Sequence, residues 1–207
     1  MQLRRARASV EEASRAGWTP EARRAPGGVL SGPHARALLA ELRHFTQALH
    51  EHVIGRVLHH AWLELERDVA DARSPGDARR AHDKFLDVVC AQCLASPDPT
   101  WTLLAGQTRA ALGIACDFAA AQRRAGAKAR ASGEGWEASP GPGYGSTYAP
   151  VPEGEAERLA GAFRRARSYV LRVIESKLRV GTYPELHELR LRLDFNGYYG
   201  TDAGGES

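Results

Sequence analysis

The sequence predicts an all-α fold: an antiparallel helical bundle with long helices, one long disordered loop, and a short C-terminal helix plus extended tail. Three observations predict it. Apolar residues recur at spacings of three and four through four long segments. Proline, glycine and capping residues fall between those segments, and most of the connections are short, as a bundle requires. No period of 20 to 50 residues recurs, which excludes a solenoid. With 207 residues, 43% hydrophobic and 26% charged, the chain is long enough for one ordinary domain or two small ones with a real core.

Residues 3 to 16 read as helix because Leu3, Ala6, Val10 and Ala13 share a face. Gly17, Pro20, Pro26, Gly27, Gly28, Gly32 and Pro33 then interrupt the pattern, so residues 1–33 are expected to hold the end of a preceding helix and a flexible linker. From Ala35 the stripe Leu38, Leu42, Phe45, Leu49, Val53, Ile54, Leu58, Ala61, Leu65 and Val69 predicts one long helix through Ala72. Gly55 is its one glycine, and it has no proline. The turn at Arg73 to Gly76 ends it. Ser74, with Pro75 next and Asp77 three residues on, has the chemistry of a capping box, in which a hydroxyl and a carboxylate satisfy the first free amides of a helix. That second helix should run from Pro75 to about Ala95 and bury Ala78, Ala81, Phe85, Leu86, Val89 and Cys93.

Asp98 and Pro99 open a third helix, whose stripe is Leu104, Thr108, Ala111, Ala115 and Phe118. Residues 132–152 hold five glycines and four prolines and are expected to be a disordered loop, since they offer no periodic apolar face. Leu159, Phe163, Ala166, Val170, Val173, Ile174 and Leu178 predict a fourth helix from Glu153 to Arg179, stopped near Gly181. Leu186, Leu189 and Leu193 suit a short helix, whereas Leu189, Leu191, Leu193 and Phe195 alternate as a strand would. The expectation is a short helix, an extended tail, and a disordered end over residues 200–207.

Composition excludes several classes of function. Lysine and arginine number 28 against 25 acidic residues, a formal charge of +3, which is too small an excess for a dedicated nucleic-acid binder. The longest apolar-looking stretch, Trp101 to Ala121, is broken by Gln107, Arg109 and Asp117, so no membrane span is expected. The start lacks a secretory apolar region, and three cysteines make no extracellular framework, so a reducing, intracellular setting is expected.

The residues that might carry chemistry do not assemble into a site. Cys90 and Cys93 form a C-x-x-C, but it lies late in a helix with no strand before it, and Cys116 and His82 do not complete a zinc set. Buried apolar cysteines are the expectation. His50, His52, His59 and His60 lack the separation of three or four that two ligands on one helical face need, and His50-Glu51-His52 is followed by Ile54 where a zinc helix would have histidine. They read as solvated histidines on an exposed face. Arg123, Arg124, Lys128 and Arg130 suit the negative end of a helix dipole. Phosphate loops and nucleophile elbows are missing. No catalytic residues, no metal and no cofactor are expected.

Three local strings resemble the carboxy-terminal domain of the gamma-tubulin complex components. The first is Arg43-His44-Phe45 opening the long helix, with Val57-Leu58-His59-His60-Ala61-Trp62-Leu63-Glu64-Leu65 after it. The second is Ala81-His82-Asp83-Lys84-Phe85-Leu86 with Cys93-Leu94. The third is Leu189 to Tyr199, similar to a terminal R-L-D-F-N-x-Y-Y signature. Residues 3 to 18 resemble the tail of a preceding family helix. His59-His60 and the run from Gly181 to Leu186 lean towards the component five or six type, while an intact Arg192-Leu193-Asp194-Phe195-Asn196 favours the more typical members.

The resemblance implies that residues 34–199 are a helical domain that grips gamma-tubulin, that other gamma-tubulin complex components are its neighbours, and that neither nucleic acid nor membrane is a partner. It implies a location in the cytoplasm and cytoskeleton, at a microtubule-organising centre. It also implies that the chain is a fragment, because family members carry an amino-terminal domain for lateral assembly. Arg192, Asp194, Asn196, Tyr198 and Tyr199 are the candidate contact residues, or the residues that shape the contact surface. The alternatives are a local Arg192–Asp194 ion pair and, for the whole chain, a generic helical scaffold gripping another partner by helix-in-groove contacts.

Overall fold

The computed structural model describes residues 2–16, 33–93, 99–132, 136–137, 147–148, 151–181, 184–194 and 197. The elements are α1 (Gln2–Ala16), α2 (Pro33–Glu51), a π-helical segment (His52–Leu58), α3 (His59–Ala70), α4 (Pro75–Gln92), α5 (Pro99–Ser132), β1 (Trp136–Glu137), β2 (Thr147–Tyr148), α6 (Glu153–Val180) and α7 (Pro184–Leu193). The fold class is an all-α helical bundle, as expected.

The long helix expected from Ala35 to Ala72 exists as α2, the π-helical segment and α3 in unbroken succession. The widened winding falls on His52-Val53-Ile54-Gly55-Arg56-Val57-Leu58. Three β-branched residues and a glycine make this the stretch of the helix with the weakest preference for α winding. The expected loop at 132–152 needs two corrections among its described residues. β1 and β2 pair antiparallel with Trp136 opposite Tyr148 and Glu137 opposite Thr147. Val151 is buried, and the Pro152 carbonyl accepts the Glu155 and Ala156 amides that open α6. The rest of that loop, the linker at 17–32 and the end at 200–207 lie outside the described residues.

The chain divides into two compact units, Met1–Thr46 with Arg109–Ala166, and Gln47–Thr108 with Arg167–Ser207. In the first, α1 and α5 run in the same direction: Gln2 Nε2 donates to the Arg109 carbonyl at 3.0 Å, and Gln122 Nε2 to the Ala13 carbonyl at 3.4 Å. The first turns of α2 and α6 also lie side by side, with His34 Nδ1 against Glu153 Oε1, and further along Phe45 meets Phe163 edge to face at 5.4 Å between centroids. Phe45, Phe118 and Phe163 are the largest side chains enclosed there, with Ala6, Val10, Leu38, Leu42 and Leu159 around them. The expected stripes of α1 from Ala6 to Ala13, of α2 up to Phe45, and of α5 from Thr108 to Phe118 are therefore buried, while Leu3 is half-buried.

In the second unit, α3 and α4 fold back on one another, and α7 folds back so that Arg190 reaches Glu175 of α6. Leu186, Leu189 and Leu193 are buried while Leu191 is exposed, which selects the helix over the strand in the ambiguous ending. Cover is thinner in this unit. Ile54, Leu58, Val69 and Leu86, all expected in buried stripes, are exposed, because α3 and α4 meet along a narrow line of Ala61, Leu65, Ala81, Phe85 and Val88.

Phe163→Ala removes one ring of an enclosed edge-to-face pair and should cost about 3–5 kcal/mol of stability in urea unfolding. A loss below about 1 kcal/mol would show that the pair is not a centre of the core.

Candidate protein-binding surface

The hairpin of α3 and α4 is built by local chemistry. Ser74 Oγ donates to Asp77 Oδ2 at 2.8 Å and accepts the Asp77 amide at 3.2 Å, while the Arg73 amide donates to the same Oδ2. Arg80 pairs with Oδ1. The Ser74 hydroxyl is the largest cause that holds the Asp77 carboxyl below its ordinary 3.8, and the Arg73 amide and Arg80 guanidinium lower it further. This is the capping box read from the sequence. Across the hairpin, Lys84 Nζ lies 2.7 Å from Asp68 Oδ2, and that hydrogen bond pushes the Lys84 ammonium up from 10.5. Trp62 meets Phe85 edge to face at 6.4 Å and donates its indole N–H to Glu66.

Among its charged residues this hairpin also turns several large apolar side chains outward. Leu58, Trp62 and Val69 follow one another at spacings of four and seven, so they share a face of α3, with Ile54 one turn earlier. Trp62 is 52% exposed, and Leu63 and, from α4, Leu86 add to the surface. Among the described residues, each strongly exposed large hydrophobic side chain lies within Gln47–Thr108 or Arg167–Ser207. A cluster of this kind on a folded surface is the mark of a protein contact.

Arg192 and Asp194 of the C-terminal signature lie beside a different part of this unit. α7 packs on the π-helical segment. Arg192 Nη2 and Nε reach Glu188 Oε1 at 3.0 and 3.3 Å, and its Nη1 reaches Glu51 Oε2 at 3.3 Å. Its carboxylate partners are thus Glu188 and Glu51, where the local alternative had named Asp194. Asp194 is 4% exposed and its amide donates to the Arg190 carbonyl, ending α7; its own carbonyl accepts from Gly197, which has the left-handed φ of 67°. Asn196, Tyr198 and Tyr199, with Phe195, lie outside the described residues.

Two expectations need correcting. Cys90 is exposed and Cys93 and Cys116 are half-buried, so the cysteines are not core residues; partial burial pushes the Cys93 thiol up. His52 is buried, unlike His59 and His60. The signal was present: His52 follows Phe45 by seven and Leu49 by three, on the buried line of α2. Arg123 and Arg124 of the basic run are paired, with Glu12 and Glu155. Among the described residues, no three His, Cys, Asp or Glu side chains gather where they could hold a metal ion, and no helix is long and apolar enough to cross a membrane.

Comparison with known proteins gives one family. The model described as gamma tubulin complex component C-terminal matches residues 1–199. Gamma-tubulin complex component 5 of Mus musculus is 22% identical over 156 residues, which is 75% of this chain and 13% of that protein. Gamma-tubulin complex component 5 of Macaca fascicularis is also 22% identical over 156 residues, 75% of this chain and 18% of that protein. The chain therefore spans less than a fifth of the length of either relative.

Ser74→Ala removes the cap and should cost about 1 kcal/mol in chemical unfolding. In an NMR titration it should also raise the Asp77 carboxyl towards 3.8. Because the folded value is depressed, the stabilisation linked to Asp77 is present above 3.8 and is lost as pH falls through the lower folded value. An Asp77 titration that ignores the serine would refute the box.

Proposed function

Because the chain belongs to the gamma-tubulin complex component family, we propose that it is a non-catalytic gamma-tubulin-binding subunit of a gamma-tubulin complex. Beside other gamma-tubulin complex components, it holds gamma-tubulin in position to template microtubule nucleation in the cytoplasm, at a microtubule-organising centre. Templating asks for placement and for no bond chemistry. The observation that carries the binding role is the outward apolar face of the α3–α4 hairpin, with Trp62 at its centre. A half-exposed tryptophan among aliphatic side chains is the residue type that most often anchors an interface.

On this reading the signature residues shape the contact surface. Arg192 ties α7 to Glu51 and Asp194 closes the helix, with Asn196, Tyr198 and Tyr199 following in the sequence. Trp62→Ala combined with Leu86→Ala should lower capture of purified gamma-tubulin at least tenfold with the helical circular dichroism kept, the melting temperature falling only by what the lost Trp62–Phe85 edge accounts for. Charge reversal of Arg192 should lower the melting temperature first, because it sets a carboxylate against Glu188 and Glu51. Undiminished capture by the double variant would move the contact off this hairpin.

A further inference from the structure

The C-x-x-C of α4 has no part in the binding surface. Cys90 lies in the last turn of the helix and is exposed, while Cys93 follows its end at Gln92 and is half-buried. The Cys93 amide still donates to the Val89 carbonyl at 2.9 Å, so the winding carries through both cysteines and their side chains share a face. Leu86, one turn before Cys90 on that face, is 44% exposed, so the approach to the first thiol is open from that side. At a separation of three residues two Cβ atoms are about 5–6 Å apart, against about 3.5–4.5 Å in a disulfide. The missing distance of about 1–2 Å can come from Cys93, which stands in a turn just outside α4. Closing the pair therefore asks for an adjustment of one terminal residue and leaves the body of the helix in place.

We propose that Cys90 and Cys93 are a reversible redox-modification site, a dithiol that small-molecule disulfides of the glutathione type convert to an intrachain disulfide. The Cys90 thiolate attacks one sulfur of glutathione disulfide, forms a mixed disulfide and expels one glutathione thiolate, which takes up the proton that Cys90 released. Cys93 then loses its proton, attacks the Cys90 sulfur and expels the second glutathione thiolate, which takes up that proton. Two protein thiols are oxidised by two electrons, and one glutathione disulfide is reduced to two thiols. Cys90 attacks first because it is the exposed member; partial burial, and after it the charge of Cys90, push the Cys93 thiol up, so Cys93 suits the closing step inside the chain. The place on the helix sets what the pair does with its disulfide. A pair at a helix start has its thiolate stabilised by the positive pole and passes its disulfide on, whereas at a helix end the negative pole disfavours the thiolate and the closed form is kept until a reductant opens it. The pair is thus an acceptor of oxidation and no oxidoreductase. A metal ion is the other partner of two thiols, but among the described residues no third His, Cys, Asp or Glu side chain joins them. The chemistry is the same whether or not the hairpin holds gamma-tubulin.

The test treats the whole reduced chain with oxidised glutathione and reads intact mass, free thiols and tryptic peptides. The product should be two hydrogens lighter than the reduced chain, with the loss in the single peptide from Phe85 to Arg109 that holds both cysteines, and dithiothreitol should restore it. Free thiols should fall from three to one, the survivor being Cys116 on α5. Cys93→Ser should stop at a glutathione adduct on Cys90, Cys90→Ser should react at least tenfold more slowly, and Cys116→Ser should close as the unaltered chain does. The helical circular dichroism should stay nearly constant on closing, since only the end of α4 adjusts. An adduct that persists on Cys90 of the unaltered chain, a bridge between two chains, a broad loss of helix on closing, or a Cys90→Ser variant that reacts as fast as the unaltered chain would each overturn the proposal.

Discussion

Phe45 set edge-on against Phe163 is the contact on which the neighbouring packing depends. The two rings are enclosed and nearly perpendicular, so they fix both the distance between α2 and α6 and the rotation of each helix about its axis. Once Phe163 points inward, the residues half a turn away on α6 must point outward. His34 against Glu153 at the first turns of the same helices keeps them in register at their other end.

The two units spend their apolar residues differently. In Met1–Thr46 with Arg109–Ala166, the large aromatic and aliphatic side chains among the described residues are not strongly exposed. In Gln47–Thr108 with Arg167–Ser207, the α3–α4 hairpin is held by a cap, one cross-hairpin ion pair and one aromatic edge, and it leaves Trp62 and Leu86 uncovered. Polar interactions that fix a hairpin without consuming its hydrophobic side chains leave those side chains for a partner. Rigidity set by the cap and pair also lowers the ordering cost of binding.

Features decided within a few residues were legible in the sequence. Ser74 and Asp77 declare their box because the partners are three residues apart, and the helical ending follows from Leu186, Leu189 and Leu193 once a helix is chosen. The family was legible for the same reason, through short strings such as Arg192 to Asn196. Features that depend on distant segments were not. Nothing near Arg192 names Glu51, which is 141 residues away in sequence. Leu86 sits at a core spacing and is exposed because α3 offers too little surface to cover it, a fact about area that periodicity does not carry. The separations of the histidines from one another carry no burial signal, whereas the separation of His52 from Leu49 does. The polar signature stands out in the sequence, whereas the exposed apolar side chains follow only from the packing of α3 on α4.

The π-helical segment has a consequence for how the chain tolerates change in length. Counting from buried Leu49, uniform α winding would bring His60 back to the covered side eleven residues later, yet His60 is exposed and Ala61 is buried. The wider turn absorbs one residue, about 100° of rotation, without a break in the helix. The segment therefore behaves as a one-residue insertion stored in the winding. A version of this helix shorter by one residue between Leu49 and Ala61 could present the same alanine to the same neighbours with plain α geometry, and alignments that place a gap there would be describing a change of pitch, with the same fold on either side.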